Sequence, residues 1–176
     1  VNTNGRLVLP VSNRDHIQGS ETACTTLVEY GDYQCYRSSE AHRVVRQLQQ
    51  QFGDRLRFAF RHFPQSQVHD YAQHAAEAAE AAAAQGKFWE MHACLCEHYY
   101  ALNDGHLVEY AMAINLNINQ FLKEMTNDVH VERVQQDYQS GLQSGVMYTP
   151  TFFINNIQHQ GAWDRMTLAT AILAQL

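Results

Sequence analysis

Thr25-Thr26-Leu27-Val28-Glu29-Tyr30-Gly31-Asp32-Tyr33-Gln34-Cys35-Tyr36-Arg37-Ser38 joins two structural periods back to back. Its first six residues are β-branched or apolar apart from one glutamate, and the run stops at Gly31-Asp32, as a buried strand does where it enters a loop. From Cys35 to Phe52 the pattern becomes helical, with Val44, Val45, Leu48 and Phe52 on one face and Gly53 placed to end it. Cys35 therefore stands at the first turn of a helix, where unpaired backbone N–H groups and the helix dipole favour negative charge. A thiolate is the nucleophilic form of cysteine, so the position suits reactivity. The plainer alternative is a small residue buried for packing.

Downstream, Leu56 to Phe63 alternates apolar and polar residues and closes at Pro64, giving a βαβ unit with a right-handed crossover. Residues 66–146 carry no strand signal and are expected to form an all-helical insertion. Helices are predicted over Ala72–Gln85, stopped by Gly86, over Phe88–Tyr100, and around Leu107, Tyr110, Ala111 and Ile114. Asn117 with Gln120 has the form of a capping box for a fourth, and Val131, Val134, Tyr138 and Leu142 mark the last. Thr151–Ile154 and Ile157–Gln160 flank Asn155-Asn156, a pair suited to a tight hairpin, and Asp164 is placed to cap a terminal helix. Ahead of all this, Leu7-Val8-Leu9 is a candidate edge strand in an otherwise polar and irregular stretch over residues 1–23. The fold class is α/β, in the order βαβ, helical block, ββα, within one domain over 1–176.

Composition sets further bounds. The chain has 176 residues, 45% hydrophobic and 17% charged, with three prolines, which is the profile of a folded domain rather than a disordered one. A net charge of −6 argues against attraction to nucleic acid or to anionic lipid. No apolar run reaches the length of a membrane helix, so no membrane insertion is expected. The N-terminus lacks signal-peptide order, which leans toward the cytoplasm, while a start at Val1 leaves open an exported protein whose leader has been removed. Four cysteines are too few for a disulfide-built scaffold. The ten histidines are scattered, and Cys94-x-Cys96-x-His98 lacks the separated pairs of a zinc site, so no metal is expected.

Glu29 to Cys35 with His42, Phe60-Arg61-His62-Phe63-Pro64, Lys87-Phe88-Trp89-Glu90-Met91-His92, and Thr149 to Asn155 are linked segments that together resemble the thioredoxin superfamily, and the helical insertion resembles its DsbA-like branch. The resemblance implies a thioredoxin-like fold with Cys35 as nucleophile. It also implies a cis proline at Pro150 beside it, with Thr149 offering backbone hydrogen bonds to a bound peptide or thiol. Arg37 and His42 are candidates for tuning the thiolate. Tyr33, Tyr36 and Tyr148 are candidates for an aromatic rim, which ordinary packing explains equally well.

The departure from the family pattern is as informative. Members usually carry Cys-Pro-x-Cys, whereas this chain has Cys35-Tyr36-Arg37-Ser38. A serine hydroxyl can hydrogen-bond to a thiolate but cannot form the second S–S bond that releases a trapped partner. Cys24 lies at the far end of a strand from Cys35, beyond disulfide reach. Cys94 and Cys96 point apart on one helix, and either could face Cys35 or simply be buried. Three functions stay open: a monothiol oxidoreductase acting on protein or small-molecule thiols and disulfides, with no bound cofactor and glutathione as co-substrate; a glutathione-dependent enzyme of the kappa-class transferase type; and a redox-inactive binding domain on the same fold.

Overall fold

The computed structural model describes residues 5–176. In chain order the elements are β1 (His16–Gln18), β2 (Thr25–Gly31), α1 (Tyr36–Phe52), a 3-10 turn at Gly53–Arg55, β3 (Leu56–His62), α2 (Ala72–Ala83), α3 (Phe88–Glu97), α4 (Asp104–Ala113), α5 (Ile118–Thr126), α6 (Val131–Gln143), β4 (Thr151–Ile154), β5 (Ile157–Gln158) and α7 (Arg165–Leu173). They form two compact units. The sheet unit holds the described residues up to Gly31 with Glu40–Arg61 and Gln139–Leu176, and the helical unit holds Asp32–Ser39 and His62–Tyr138.

The sheet unit is built on five strands in the order β1-β3-β2-β4-β5. β2 pairs antiparallel with β4, Leu27 opposite Ile154 and Tyr30 opposite Thr151. Both faces of β2 are covered, so it reads as a nearly continuous apolar run rather than an alternating one. Leu27, Val28, Phe58, Phe60 and Phe153 of the sheet, with Val45, Leu48 and Phe52 of α1 and Leu168 and Ile172 of α7, are buried and make up its core. Burying each such side chain stabilises by about 1.5–3 kcal/mol. The β4–β5 hairpin turns through Asn155 and Asn156 at φ 48° and 69°, the left-handed pair expected of that dipeptide. Asp164 caps α7 by accepting from the N–H groups of Met166 and Thr167 at 3.0 and 3.1 Å.

One expectation is corrected here. Leu7-Val8-Leu9 forms no strand; the chain makes a single bridge one residue earlier, Arg6 to Ile157. The edge strand is instead β1, whose three residues pair with β3, His16 opposite Phe60. The alternation in β3 does not place its polar residues in solvent, since Arg61 and His62 are 0% and 1% exposed. Arg61 is accommodated because Asp15 takes it bidentately, at 2.7 and 3.1 Å, while the Leu9 and Pro10 carbonyls and Tyr30 Oη accept its other N–H groups. Burial opposes the guanidinium's charge, but the Asp15 and Tyr30 contacts outweigh it and hold the group protonated. Residues 9–15, which have almost no regular structure, are thereby tied to the sheet.

Glu29 on β2 is 2% exposed, and burial pushes its carboxyl up to about 8. At Gly31 a Cβ would lie 2.5 Å from the Phe60 ring and 3.0 Å from Glu29 Oε1, so only glycine fits this end of the strand.

In the helical unit, α2 packs against α3, α4 and α5. Its seven buried alanines lie on every face, which lets one helix accept several close neighbours. The acids buried with it have hydrogen-bond partners, as burial requires, Glu77 accepting from Gln73 Nε2 at 2.9 Å. Glu80 Oε1 meets His62 Nε2 at 2.7 Å, and Asp137 accepts from the His62 N–H at 3.1 Å and from Arg133 Nη1 at 2.6 Å. The predicted capping box at α5 is only half formed. Asn117 Oδ1 accepts from Gln120 N–H at 3.0 Å, but the Asn117 N–H donates to Gln85 Oε1 at 2.7 Å, and the Gln120 amide goes to Glu124.

Candidate functional site

Cys35 belongs to the helical unit, on a loop fixed residue by residue. Asp32 opens it. Its carbonyl accepts the Cys35 N–H at 3.0 Å, and its own N–H donates to Ser38 Oγ at 3.2 Å. The Asp32 carboxylate is 1% exposed and gathers three donors. Oδ1 accepts the Gln34 N–H at 2.8 Å in an Asx turn, and Oδ2 accepts the Gln65 N–H at 2.8 Å and meets His69 Nδ1 at 2.7 Å. Tyr33 comes next, 2% exposed, with its hydroxyl 2.9 Å from His92 Nδ1. Gln34 Oε1 then accepts the N–H of Tyr71 at 2.7 Å, just before α2. Three consecutive side chains thus anchor the loop at three places in the helical unit.

The half-buried Cys35 follows at the N-cap of α1, its carbonyl accepting the first helical bond from Ser39 at 3.1 Å. Side chains at an N-cap face the open N–H groups of the first turn, and there the positive end of the helix dipole favours an anion. Tyr36 is exposed, with its ring 5.5 Å from that of Tyr99 in edge contact, and Arg37 is exposed beside it. Ser38 is buried, and its oxygen is engaged by the Asp32 N–H, so this serine closes the loop that presents Cys35. Tyr33 is inside the fold rather than on a rim, which corrects that part of the aromatic-rim expectation.

The other cysteines differ in setting, and none of the four is in a disulfide. Cys96 is buried with its sulfur 3.7 Å from His92 Nε2, and its carbonyl accepts from Ser39 Oγ at 2.6 Å. Cys94 is half-buried, its thiol pushed up by burial and then by the charge of Glu97. Cys24, in the sheet unit, is exposed and donates to the Arg55 carbonyl at 3.6 Å.

Of the residues singled out from sequence, Cys35, Tyr36, Arg37 and Ser38 thus stand together in the helical unit. His42, half-buried on α1, and Thr149 and Pro150 belong to the sheet unit. The Thr149–Pro150 bond is cis, and both residues are buried. Tyr148 before them is 56% exposed. Sequence reasoning assigned no role to Asp32, His69 or His92, although a turn-forming aspartate three residues before a candidate nucleophile is a local signal for the first.

Comparison with known proteins agrees with this architecture. The thioredoxin family model matches residues 12–173. A Na(+)/H(+) antiporter NhaA 3 of Salinispora tropica is 39% identical over 169 residues, covering 96% of this chain and 26% of that protein. A Na(+)/H(+) antiporter NhaA 1 of Mycobacterium sp. (strain KMS) is 41% identical over 173 residues, covering 96% and 28%. The chain therefore spans about a quarter of the length of these curated relatives. Among solved structures, oxidised BdbD from Bacillus subtilis superposes with a TM-score of 0.86 at 20% identity, covering 98% of this chain and 96% of that one. Wolbachia pipientis alpha-DsbA1 gives 0.81 at 23%, covering 98% and 96%. With its cysteine at a strand-to-helix junction and helices α2 to α6 lying in sequence between β3 and β4, this chain, matched by the family model over residues 12–173, belongs to the thioredoxin family and has the fold of DsbA-like proteins.

Proposed function

We propose that the chain carries out thiol–disulfide exchange with Cys35 as its one motif thiol, working through a mixed disulfide that an external thiol resolves. The observation that carries this is the N-cap position of a half-buried Cys35 on a loop whose three preceding side chains, Asp32, Tyr33 and Gln34, are anchored. In the first step the Cys35 thiolate attacks one sulfur of a disulfide, forming a Cys35 mixed disulfide as the other sulfur leaves as thiolate. A second thiolate, glutathione's for example, then attacks the mixed disulfide and Cys35 departs as thiolate, so the protein ends as it began. The step an internal resolving thiol would perform has no sulfur at position 38, where Ser38 binds the Asp32 N–H.

Sodium–proton exchange, the activity in the relatives' names, belongs to proteins of which this chain matches about a quarter. No described helix is long and apolar enough to cross a membrane. Glutathione is proposed as the resolving co-substrate, not as a bound cofactor.

The test loads Cys35 with glutathione, removes excess reagent and follows the adduct by mass spectrometry. The wild type is expected to hold the adduct until reduced glutathione is added. Ser38→Cys is expected to expel it unaided and form a 35–38 disulfide. Failure of Cys35 to load, or spontaneous release by the wild type, contradicts the monothiol cycle. Saturable glutathione binding that survives Cys35→Ser would instead support the kappa-class type of enzyme.

A further inference from the structure

We propose that Asp32 is a positioning residue for Cys35, setting the thiol's reactivity through the shape of the loop rather than through its own charge. This rests on the reading of Cys35 as the nucleophile.

Asp32 ties that loop at three points, Gln34, Cys35 and Ser38. Its carbonyl holds the Cys35 N–H, its N–H holds Ser38 in the first turn of α1, and Oδ1 holds the Gln34 N–H. Oδ2 fastens the assembly to residues 65–69, through the Gln65 N–H and His69 Nδ1. The residue before the N-cap and the residue three after it are thus both tied to one buried side chain and its own N–H. The direction in which the cysteine sulfur leaves the backbone follows from that arrangement. A carboxylate so placed is an unusual choice beside a thiolate, because like charges repel and the negative charge alone disfavours the anion. Geometry and charge therefore predict opposite consequences when the carboxylate is removed.

Asparagine is the informative replacement. It keeps the size and one acceptor for Gln34 N–H, but its Nδ2 turns a donor toward the Gln65 N–H, where an acceptor is required. Glutamate keeps the charge and displaces the oxygens. Gln in place of His69 leaves the carboxylate untouched and alters one of its three partners, at a residue with a side chain 25% exposed.

The experiment is iodoacetamide alkylation of the full chain from pH 5 to 10, with modification at Cys35 read by peptide mass spectrometry and folding monitored by circular dichroism. The expected result for Asp32→Asn is a rate at pH 7 about tenfold lower, with the whole pH profile displaced to higher pH. Asp32→Glu is expected to follow it despite retaining its charge, and His69→Gln to shift the same way by about threefold. A profile for Asp32→Asn that moves to lower pH would show that the charge dominates and overturn the proposal. Melting temperatures that fall while all three folded variants keep the wild-type profile would overturn it too, by reducing Asp32 to a structural role. If Asp32→Asn does not fold, the Asp32→Glu and His69→Gln profiles decide the same question. A wild-type Cys35 that reacts no faster folded than in denaturant would overturn the nucleophile reading itself, and the proposal with it.

Discussion

Two buried aspartates serve the two units of this molecule in different ways. Asp15 is paired with a full charge, the Arg61 guanidinium, and the pair is sealed at 0% side-chain exposure. Asp32 is surrounded by two backbone N–H groups and a histidine that is a quarter exposed. The first arrangement ties an irregular N-terminal segment to the sheet and offers nothing that chemistry could use. The second binds a loop that ends in a half-buried thiol. Similar acids at similar depth thus do structural work in one place and functional positioning in the other, and what separates them is what lies next along the chain.

That contrast breaks most visibly at Arg61. Arg61→Met leaves the Asp15 carboxylate buried without its cation, which costs about 3–5 kcal/mol. Urea melts should show the loss, while the alkylation rate of Cys35 in the folded protein stays at its wild-type value. A matching loss of Cys35 reactivity would erase the distinction between the two acids.

Glu29 tests the sign of a third buried acid. Its folded-state value of about 8 is above the ordinary 4.5, so the folded state holds a proton that the unfolded state releases between those values. Stability from this group is present below about pH 4.5 and is lost as the pH rises toward 8. Glu29→Gln removes that penalty. It is expected to stabilise on the order of 4 kcal/mol at pH 8 and almost nothing at pH 4, as measured by melts across that range.

Asp32→Asn should cost less stability than Arg61→Met, about 1–3 kcal/mol, because the groups it strands are neutral or partly solvated. It should nonetheless cost more reactivity at Cys35. Smallest of all is Asn117→Ala at the start of α5, which loses one cap bond worth about 1 kcal/mol and leaves thiol chemistry alone.

The parts of this fold that were legible from sequence are those specified by neighbours. Thr25–Tyr30 ending at Gly31, the helix from Cys35 to Phe52, the Asn155-Asn156 hairpin and the Asp164 cap each depend on a few contiguous residues. Each appears where local chemistry placed it. β1 did not, because His16-Ile17-Gln18 has no strand pattern and exists through its pairing with β3. Tyr33 looked like a rim residue because nothing nearby in sequence shows that His92, 59 positions on, will receive its hydroxyl. The candidate thiol was legible from its junction position. The residues that fasten its loop were not, since Gln65 and His69 meet Asp32 only after the chain has passed through α1 and β3.

The most direct measurement uses the chain's own control. Cys24 is exposed and Cys35 only half so, and accessibility alone therefore makes Cys24 the faster thiol. Mixing the native protein with oxidised glutathione at pH 7 and following each cysteine by peptide mass spectrometry compares the two within one molecule. If the anchored loop and the helix N-terminus activate Cys35, it forms its mixed disulfide first despite its lower exposure. Cys24 modified first, with Cys35 lagging, would contradict a reactive thiol at this site.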